Sequence, residues 1–441
     1  MFKRVATVLG GAALALSLPA AALAQPIVVQ TGDTSIDSGD TAWVLVSAAL
    51  VMLMTPALGF FYGGLVRRKN VLSTIFYSFL ILALISVQWV LYGYSLAFGP
   101  DHGGIIGGLD WIGLRGVGLE PNTDYAATIP HQAYMLFQMF FAVITPALIT
   151  GAFAERKRFK SFLIFSLLWA TLVYDPIAHW VWGTGGWLHA MGALDFAGGT
   201  VVHISSGVSA LVAALVLGKR IGLGQEPMEP HDATMTILGA GLLWFGWFGF
   251  NAGSALTSGA LATSAFVNTN TAAAMAALTW MTVSWIHDKQ PSAIGGAAGA
   301  VAGLVAITPA SGYVTPMASI LIGFGAGLVC YLAAQVKNRF GFDDALDVWA
   351  VHGMGGTWGA IATGLFATVA INAAGGDGLF YGNPGQLGIQ ILATVASWVY
   401  SAVMTFVLLK VVDATIGLRV PEHEELAGLD ITQHGELAYR V

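Results

Sequence analysis

Eleven stretches of this chain are each long and apolar enough to fill a bilayer core, which needs about 20 predominantly apolar residues per helix. They run near 41–65, 71–98, 131–154, 161–184, 199–218, 232–256, 262–286, 293–311, 316–336, 348–370 and 388–413. Inside hydrocarbon every backbone N–H and C=O must be satisfied without water, so stretches of this length are restricted to helices. The expected fold is an all-α polytopic membrane protein of about eleven transmembrane helices. Composition agrees: 10 % of the 441 residues are charged and 56 % hydrophobic, where a water-facing domain carries roughly 25 % charge. The glycines and alanines read as scaffold that lets membrane helices approach closely, not as a nucleotide loop. A net charge of -6 spread over loops and tail leaves no nucleic-acid footprint.

Basic residues in short loops stay on the cytoplasmic side, and this orients the chain. Arg67, Arg68 and Lys69 follow the first stretch, Arg156, Lys157, Arg158 and Lys160 the third, and Lys219 and Arg220 the fifth. Lys289, Lys337, Arg339, Lys410, Arg419 and Arg440 continue on the same side, and only Arg115 falls in an outer loop. The amino-terminus is therefore expected outside and the tail inside a bacterial inner membrane. Lys3 and Arg4, an apolar run from Val5 to Leu18 and Ala22-Leu23-Ala24 form the pattern of a secretory signal over residues 1–24. A short membrane anchor is the competing reading of that segment. Cys330 is the single cysteine, which excludes an internal disulfide and a cysteine-based metal site.

An internal repeat rises above this background. Asp195 and His203 stand eight residues apart, as do Asp344 and His352, and the offset of 149 residues between copies also pairs Gly207 with Gly356. The copies open the fifth and tenth stretches, which cross in opposite directions. That is the mark of a 5+5 inverted repeat with one final helix, whose functional site lies near the midplane where the halves meet. At 1.5 Å per residue each histidine sits about 12 Å deeper than its aspartate, so the two imidazoles approach the centre from opposite faces. Ionisable groups within a membrane mark function. A neutral imidazole offers one donor and one acceptor there. Asp195 and Asp344 are candidate helix caps; Asp195 also stands as a group that assists a cation. Asp175, beside Pro176, reads as a structural partner near the outer end.

Asp195 to His203, Gly246-Trp-Phe-Gly-Phe-Asn-Ala-Gly-Ser254 and Gly151-Ala-Phe-Ala-Glu-Arg156 together resemble the ammonium transporter family, which includes the Rhesus proteins. The resemblance covers the mature chain and implies a homotrimer with one pore per subunit. By the same likeness Phe141, Trp182 and Ser254 form an outer recruitment site for ammonium, Phe141 and Phe250 are two stacked rings closing the mouth, and Phe137 and Trp247 line it. A cation that sheds water gains about 0.5–2 kcal/mol from each aromatic face. Here Thr184 interrupts a run of glycines that the family pattern keeps intact, so Trp187 competes with Trp182 for the outer ring.

The mechanism this implies is recruitment of ammonium, loss of its proton at the gate, and passage of ammonia along an apolar pore past His203 and His352. Whether net charge crosses is open at this level. No metal, cofactor or enzymatic chemistry is expected: His423-Glu-Glu fails the zinc-hydrolase pattern, and no nucleophile elbow is present. An ammonium sensor signalling through its tail is the alternative. The domain plan is a signal over 1–24, a transmembrane domain over 25–413 with halves near 41–220 and 232–370 and a last helix over 388–413, and a regulatory tail over 414–441. Gly428-Leu-Asp430 and His434-Gly-Glu436 in that tail resemble the family segment that packs under a neighbouring subunit and receives a P-II-type nitrogen-signalling protein.

Overall fold

Each of the eleven apolar stretches becomes a helix in the computed structural model, which describes residues 36–439. The expected signal over 1–24 and Arg440 lie outside the described residues. The helices are α1 (Ser38–Leu65), α2 (Arg68–Phe98), α3 (His131–Phe153), α4 (159–182), α5 (Gly199–Leu217), α6 (Ala233–Ala255), α7 (Ala260–Asp288), α8 (Ala293–Ile307), α9 (Pro316–Phe340), α10 (349–366) and α11 (Pro384–Ile416). Eight of them are long and apolar enough to cross a membrane; α7, α8 and α10 fall short on length or hydropathy. The reason differs for each. α7 carries polar groups that are satisfied inside the bundle, with Asn268 Nδ2 donating to the carbonyls of Ser311 and Val314 at 2.9 and 2.7 Å. α8 has 15 residues, and the hydropathy of α10 is diluted by His352 and by Gly353, Gly355 and Gly356; both pack against several other helices.

Packing repeats between the halves. α1 lies on α3 as α6 lies on α8, α2 on α3 as α7 on α8, and α3 on α5 as α8 on α10. The halves join through α1 against α6 and through α5 against α10, while α11 straps α4, α5 and α10 from outside. Strand is confined, among the described residues, to a short hairpin between α2 and α3, in which β1 (Asp101–His102) pairs with β2 (Ile106–Gly107). Wide π-type turns interrupt α2 at Trp89–Gly93 and α4 at Ala170–Tyr174, and open α5 at Gly199–Ile204 and α10 at Trp349–Met354. Such turns often occur at functional sites.

The face that carries the tail is held by ions. Glu155, with a left-handed φ of 71°, accepts from the Arg67 backbone N and Nε, each at 2.7 Å. Arg220 reaches both oxygens of Asp343 and lies 3.7 Å from Glu155. Arg156 donates to the carbonyls of Ala152, Ala154, Gly218 and Asp343. The tail adds to the same network: Glu425 accepts from Arg419 and the Ile221 N–H, and Asp430 accepts from the N–H groups of Leu72 and Ser73 at the start of α2. Burial alone would raise Asp343, but its hydrogen bonds from Arg220 and the charges of Arg156 and Arg220 hold it below the ordinary carboxylate value. Breaking a buried pair strands a charge and costs about 3–5 kcal/mol. Asp343→Ala is expected to lower the melting temperature of the detergent-solubilised protein accordingly, whereas the exposed pair partner change Asp288→Ala leaves it unmoved.

Lys157, between α3 and α4, is buried with Nζ 4.3 and 4.1 Å from the ring centres of Phe153 and Phe165. Burial, with Arg156 beside it, lowers its ammonium from 10.5 to about 7. Between those two values the unfolded chain binds a proton there that the native chain does not, so stability rises with pH through the window. Lys157→Met removes the dependence. Its stabilising effect, read from thermal unfolding, is expected to be greatest at about pH 7 and below and to shrink toward about pH 10.

Candidate functional site

The two histidines meet. His203 on the opening turn of α5 and His352 on that of α10 place their Nδ1 atoms 3.2 Å apart, with ring centres 5.3 Å apart and planes 28° from parallel. Both are buried, at 1 % and 3 % exposure, so neither faces lipid. What permits the meeting is glycine at the second shared position of the repeat. A Cβ on Gly207 would fall inside contact distance of the Gly353 backbone, and one on Gly356 would lie 3.0 Å from the Cβ of His203. Each copy thus rests its glycine on the other copy's histidine turn.

The aspartates cap the same turns unequally. Asp195 accepts from the N–H groups of Gly198, Gly199, Thr200 and Val201 at 2.8, 2.6, 2.8 and 3.2 Å, and from the Thr200 hydroxyl. Both its oxygens are engaged by the chain. Asp344 accepts from the Trp349 N–H at 2.7 Å, and its other oxygen has no side-chain or backbone donor. Burial, with Asp347 adding to it and Lys337 opposing it, raises the Asp344 carboxyl to about 6.

Beside the imidazoles runs an apolar cavity lined by Met54, Leu58, Ile144, Leu148, Trp247, Phe250 and Val301, with both histidines as its polar wall. Free space for the centre of a water-sized molecule is about 10 Å³ there, room for a single small molecule. His203 Nε2 has no partner. A wider cavity of about 220 Å³ begins at His352 and Phe61 and opens past Tyr62, Leu346 and Asp347 on the tail face.

On the opposite side of the apolar cavity the rings of Phe141 and Phe250 meet. Their centres are 4.2 Å apart and the planes tilt by 35°, so the contact is closer to stacked than to edge-on. Phe137 meets Phe141 edge-on at 5.0 Å, and Trp182 meets Phe141 at 5.9 Å and 89°. Trp182 is fixed by its indole N–H on the Asp195 carbonyl at 2.8 Å. Trp187 packs on Trp180 instead, 5.8 Å between centres. Thr184, the extra residue of that loop, donates its N–H to the Tyr125 hydroxyl at 3.2 Å, so the added length is absorbed outside the mouth. The Ser254 hydroxyl donates to the Phe250 carbonyl at 2.8 Å, which leaves its oxygen a free acceptor.

The sequence matches a known family. The profile of the Ammonium Transporter Family covers residues 42–439. The chain belongs to the ammonium transporter family. The ammonium transporter of Bacillus subtilis is 57 % identical over 403 residues, 91 % of this chain and 98 % of that protein. The crystal structure of Saccharomyces cerevisiae Mep2 superposes with a TM-score of 0.83 at 37 % identity, covering 89 % of each chain. A sensor Amt protein superposes with a TM-score of 0.82 at 30 % identity, over 90 % of this chain and 98 % of that one.

In this transporter one contact beside the histidines has no counterpart in the sequence reading. Trp247 stacks on His203, 5.4 Å between centres at 24°, and its indole N–H is held by the Thr308 hydroxyl at 2.9 Å. Threonine is common in membrane helices, so nothing in the sequence singles out this one. The glycine contacts are open to a direct test. Gly207→Ala is expected to part the histidines by pressing on the Gly353 backbone, destabilising the protein by about 1–3 kcal/mol and cutting uptake at least tenfold. Gly241→Ala, where a Cβ would meet nothing within 4 Å, is the control.

Proposed function

We propose that this family member moves ammonium nitrogen through the path between Trp182 and the tail-side cavity, with His203 and His352 as its polar wall. The observation that carries the reading is the Nδ1 to Nδ1 contact of 3.2 Å inside an otherwise apolar cavity. A hydrogen bond between two Nδ1 atoms needs one shared proton. One ring then presents a bare Nε2 to the cavity and the other an Nε2–H. Ammonia, which both donates and accepts, is matched to such a wall.

Charge decides what passes. An ammonium-sized cation stripped of water faces a penalty of several kcal/mol in a low-dielectric pore even after relaxation, whereas neutral ammonia moves at far lower cost. Trp182, Phe141 and the Ser254 oxygen offer aromatic faces and an acceptor at the outer mouth, which suits recruitment of the cation. At the Phe141–Phe250 gate ammonium gives up its proton, either to water at the outer mouth or to the bare Nε2 of the histidine pair, and the amine goes on as ammonia. Asp195 and Asp344 act as caps that aim the histidine turns, and Phe137 and Trp247 hold the neighbouring rings. The substrate is ammonium or ammonia, and the setting is a bacterial inner membrane with the tail cytoplasmic. A homotrimer, with the tail as the docking place of a P-II-type nitrogen-signalling protein, completes the proposal. Residues 414–441 are the regulatory segment in this plan, and 25–413 the transport domain.

The likeness to a sensor Amt protein, together with a tail tied to the ion network, supports a second reading in which ammonium binding is relayed through the tail. Uptake separates the two. Proteoliposomes holding only this chain are expected to accumulate labelled methylammonium or ammonium, with His203→Ala and His352→Ala each losing at least tenfold. Absence of uptake by a folded wild type favours the sensor. Current recorded alongside assigns the charge: a signal proportional to uptake eliminates a purely neutral route.

A further inference from the structure

Asp175 on α4 takes no part in the path described. It is fully buried, directly after the wide turn Ala170–Tyr174. One of its oxygens accepts from Gln88 Nε2 at 2.9 Å; the other has no partner. Gln88 is itself buried and directly precedes the matching wide turn Trp89–Gly93 of α2, and its amide oxygen also has no partner. Two orphaned oxygens therefore belong to two groups already joined by one hydrogen bond. Both are acceptors, and two acceptors cannot satisfy each other.

A single proton resolves both. On the free Asp175 oxygen it makes a hydroxyl that donates to the Gln88 carbonyl, beside the existing N–H bond, and acid and amide meet edge to edge through two hydrogen bonds. We propose that Asp175 is a buried proton-binding site, held as the neutral acid by pairing with the Gln88 carboxamide between the wide turns of α2 and α4. Space for the amide is reserved by Gly93: a Cβ there would fall 2.5 Å from Gln88 Oε1 and 2.6 Å from Nε2.

Among the described residues no charged group answers Asp175. From α2 and α4, Tyr92 bonds Thr171, whose hydroxyl lies 3.4 Å from Gln88 Nε2. The neighbouring Tyr174 hydroxyl is unpartnered, and from α3 Tyr134 is bonded to Gln138. One turn along α4, His179 is committed to Asp101 and the Ala97 carbonyl. No lysine or arginine pairs with Asp175 among the described residues. An ionised carboxylate with one donor in this setting is costly, whereas the neutral acid leaves no polar atom of the pair unsatisfied. The pair ties α2 to α4 behind the mouth. Trp89, next to Gln88, holds the Met135 carbonyl of α3 at 3.2 Å, and α3 and α4 carry Phe141 and Trp182.

Infrared absorption of the reconstituted full-length protein tests it at about pH 7, where an ordinary aspartate is ionised. Wild type is expected to show a protonated-carboxyl C=O band that Asp175→Asn lacks. Asparagine conserves volume and keeps an amide–amide edge pair, so the variant is expected to retain uptake within about twofold. A wild-type minus variant difference containing only carboxylate bands overturns the proposal. Should Asp175→Asn fail to fold, Gln88→Leu provides the second arm: loss of the amide donor is expected to move the acid C=O band to higher frequency. A band unmoved by Gln88→Leu, or absent from wild type, overturns the proposal equally.

Discussion

Two helices of opposite direction cross at backbone contact because glycine occupies one position in each, and the imidazoles four residues earlier are thereby driven together. In hydrocarbon a lone polar ring is costly, since no water relieves it. Side by side, His203 and His352 relieve each other through one Nδ1 contact, and the Nε2 of His203 is left without a partner. The rest of the centre serves that crossing. Asp195 and Asp344 cap the turns that carry the rings, Trp247 lies flat against one of them, and Thr308 keeps Trp247 there.

The two ends of the path obey different dielectric rules. On the tail face the chain concentrates its ions, and Arg67, Glu155, Arg156, Arg220 and Asp343 satisfy one another and carbonyls at the ends of α3 and α5. Opposite, Phe137, Phe141, Trp182 and Phe250 form a wall of rings with the single free oxygen of Ser254 beside them. Charge can be tolerated where a network answers it; beside the rings only polarisable faces and one acceptor are available, which in the proposed route suits a cation about to lose its water.

Much of this was written in local spacing. The eleven apolar stretches and the Asp-to-His interval recur as helices and as facing turns, because helix formation in a bilayer and the depth of a residue along a helix depend on the chain alone. The inverted repeat carried the long-range prediction, since symmetry relates residues 149 apart without any contact being known. Local spacing misjudged less the elements than their partners. The two caps look alike in sequence, yet Asp195 collects five donors and Asp344 one from its helix turn. Trp187 competed with the preferred Trp182 until their neighbours were known, and only Trp182 touches Phe141.

What the sequence determined by itself is therefore the class of fold, the eleven apolar helices and the repeated spacing of aspartate, histidine and glycine along two of them, all consequences of hydrophobic length and residue spacing along one axis. What tertiary structure decided is which side chains share a cavity: the Thr308 contact to Trp247, the Gln88 contact to Asp175, the ion network and the choice of tryptophan. Those depend on rotation and approach between helices, and common residue types such as threonine, glutamine and arginine carry no mark of their partner until packing brings the two surfaces within hydrogen-bonding distance.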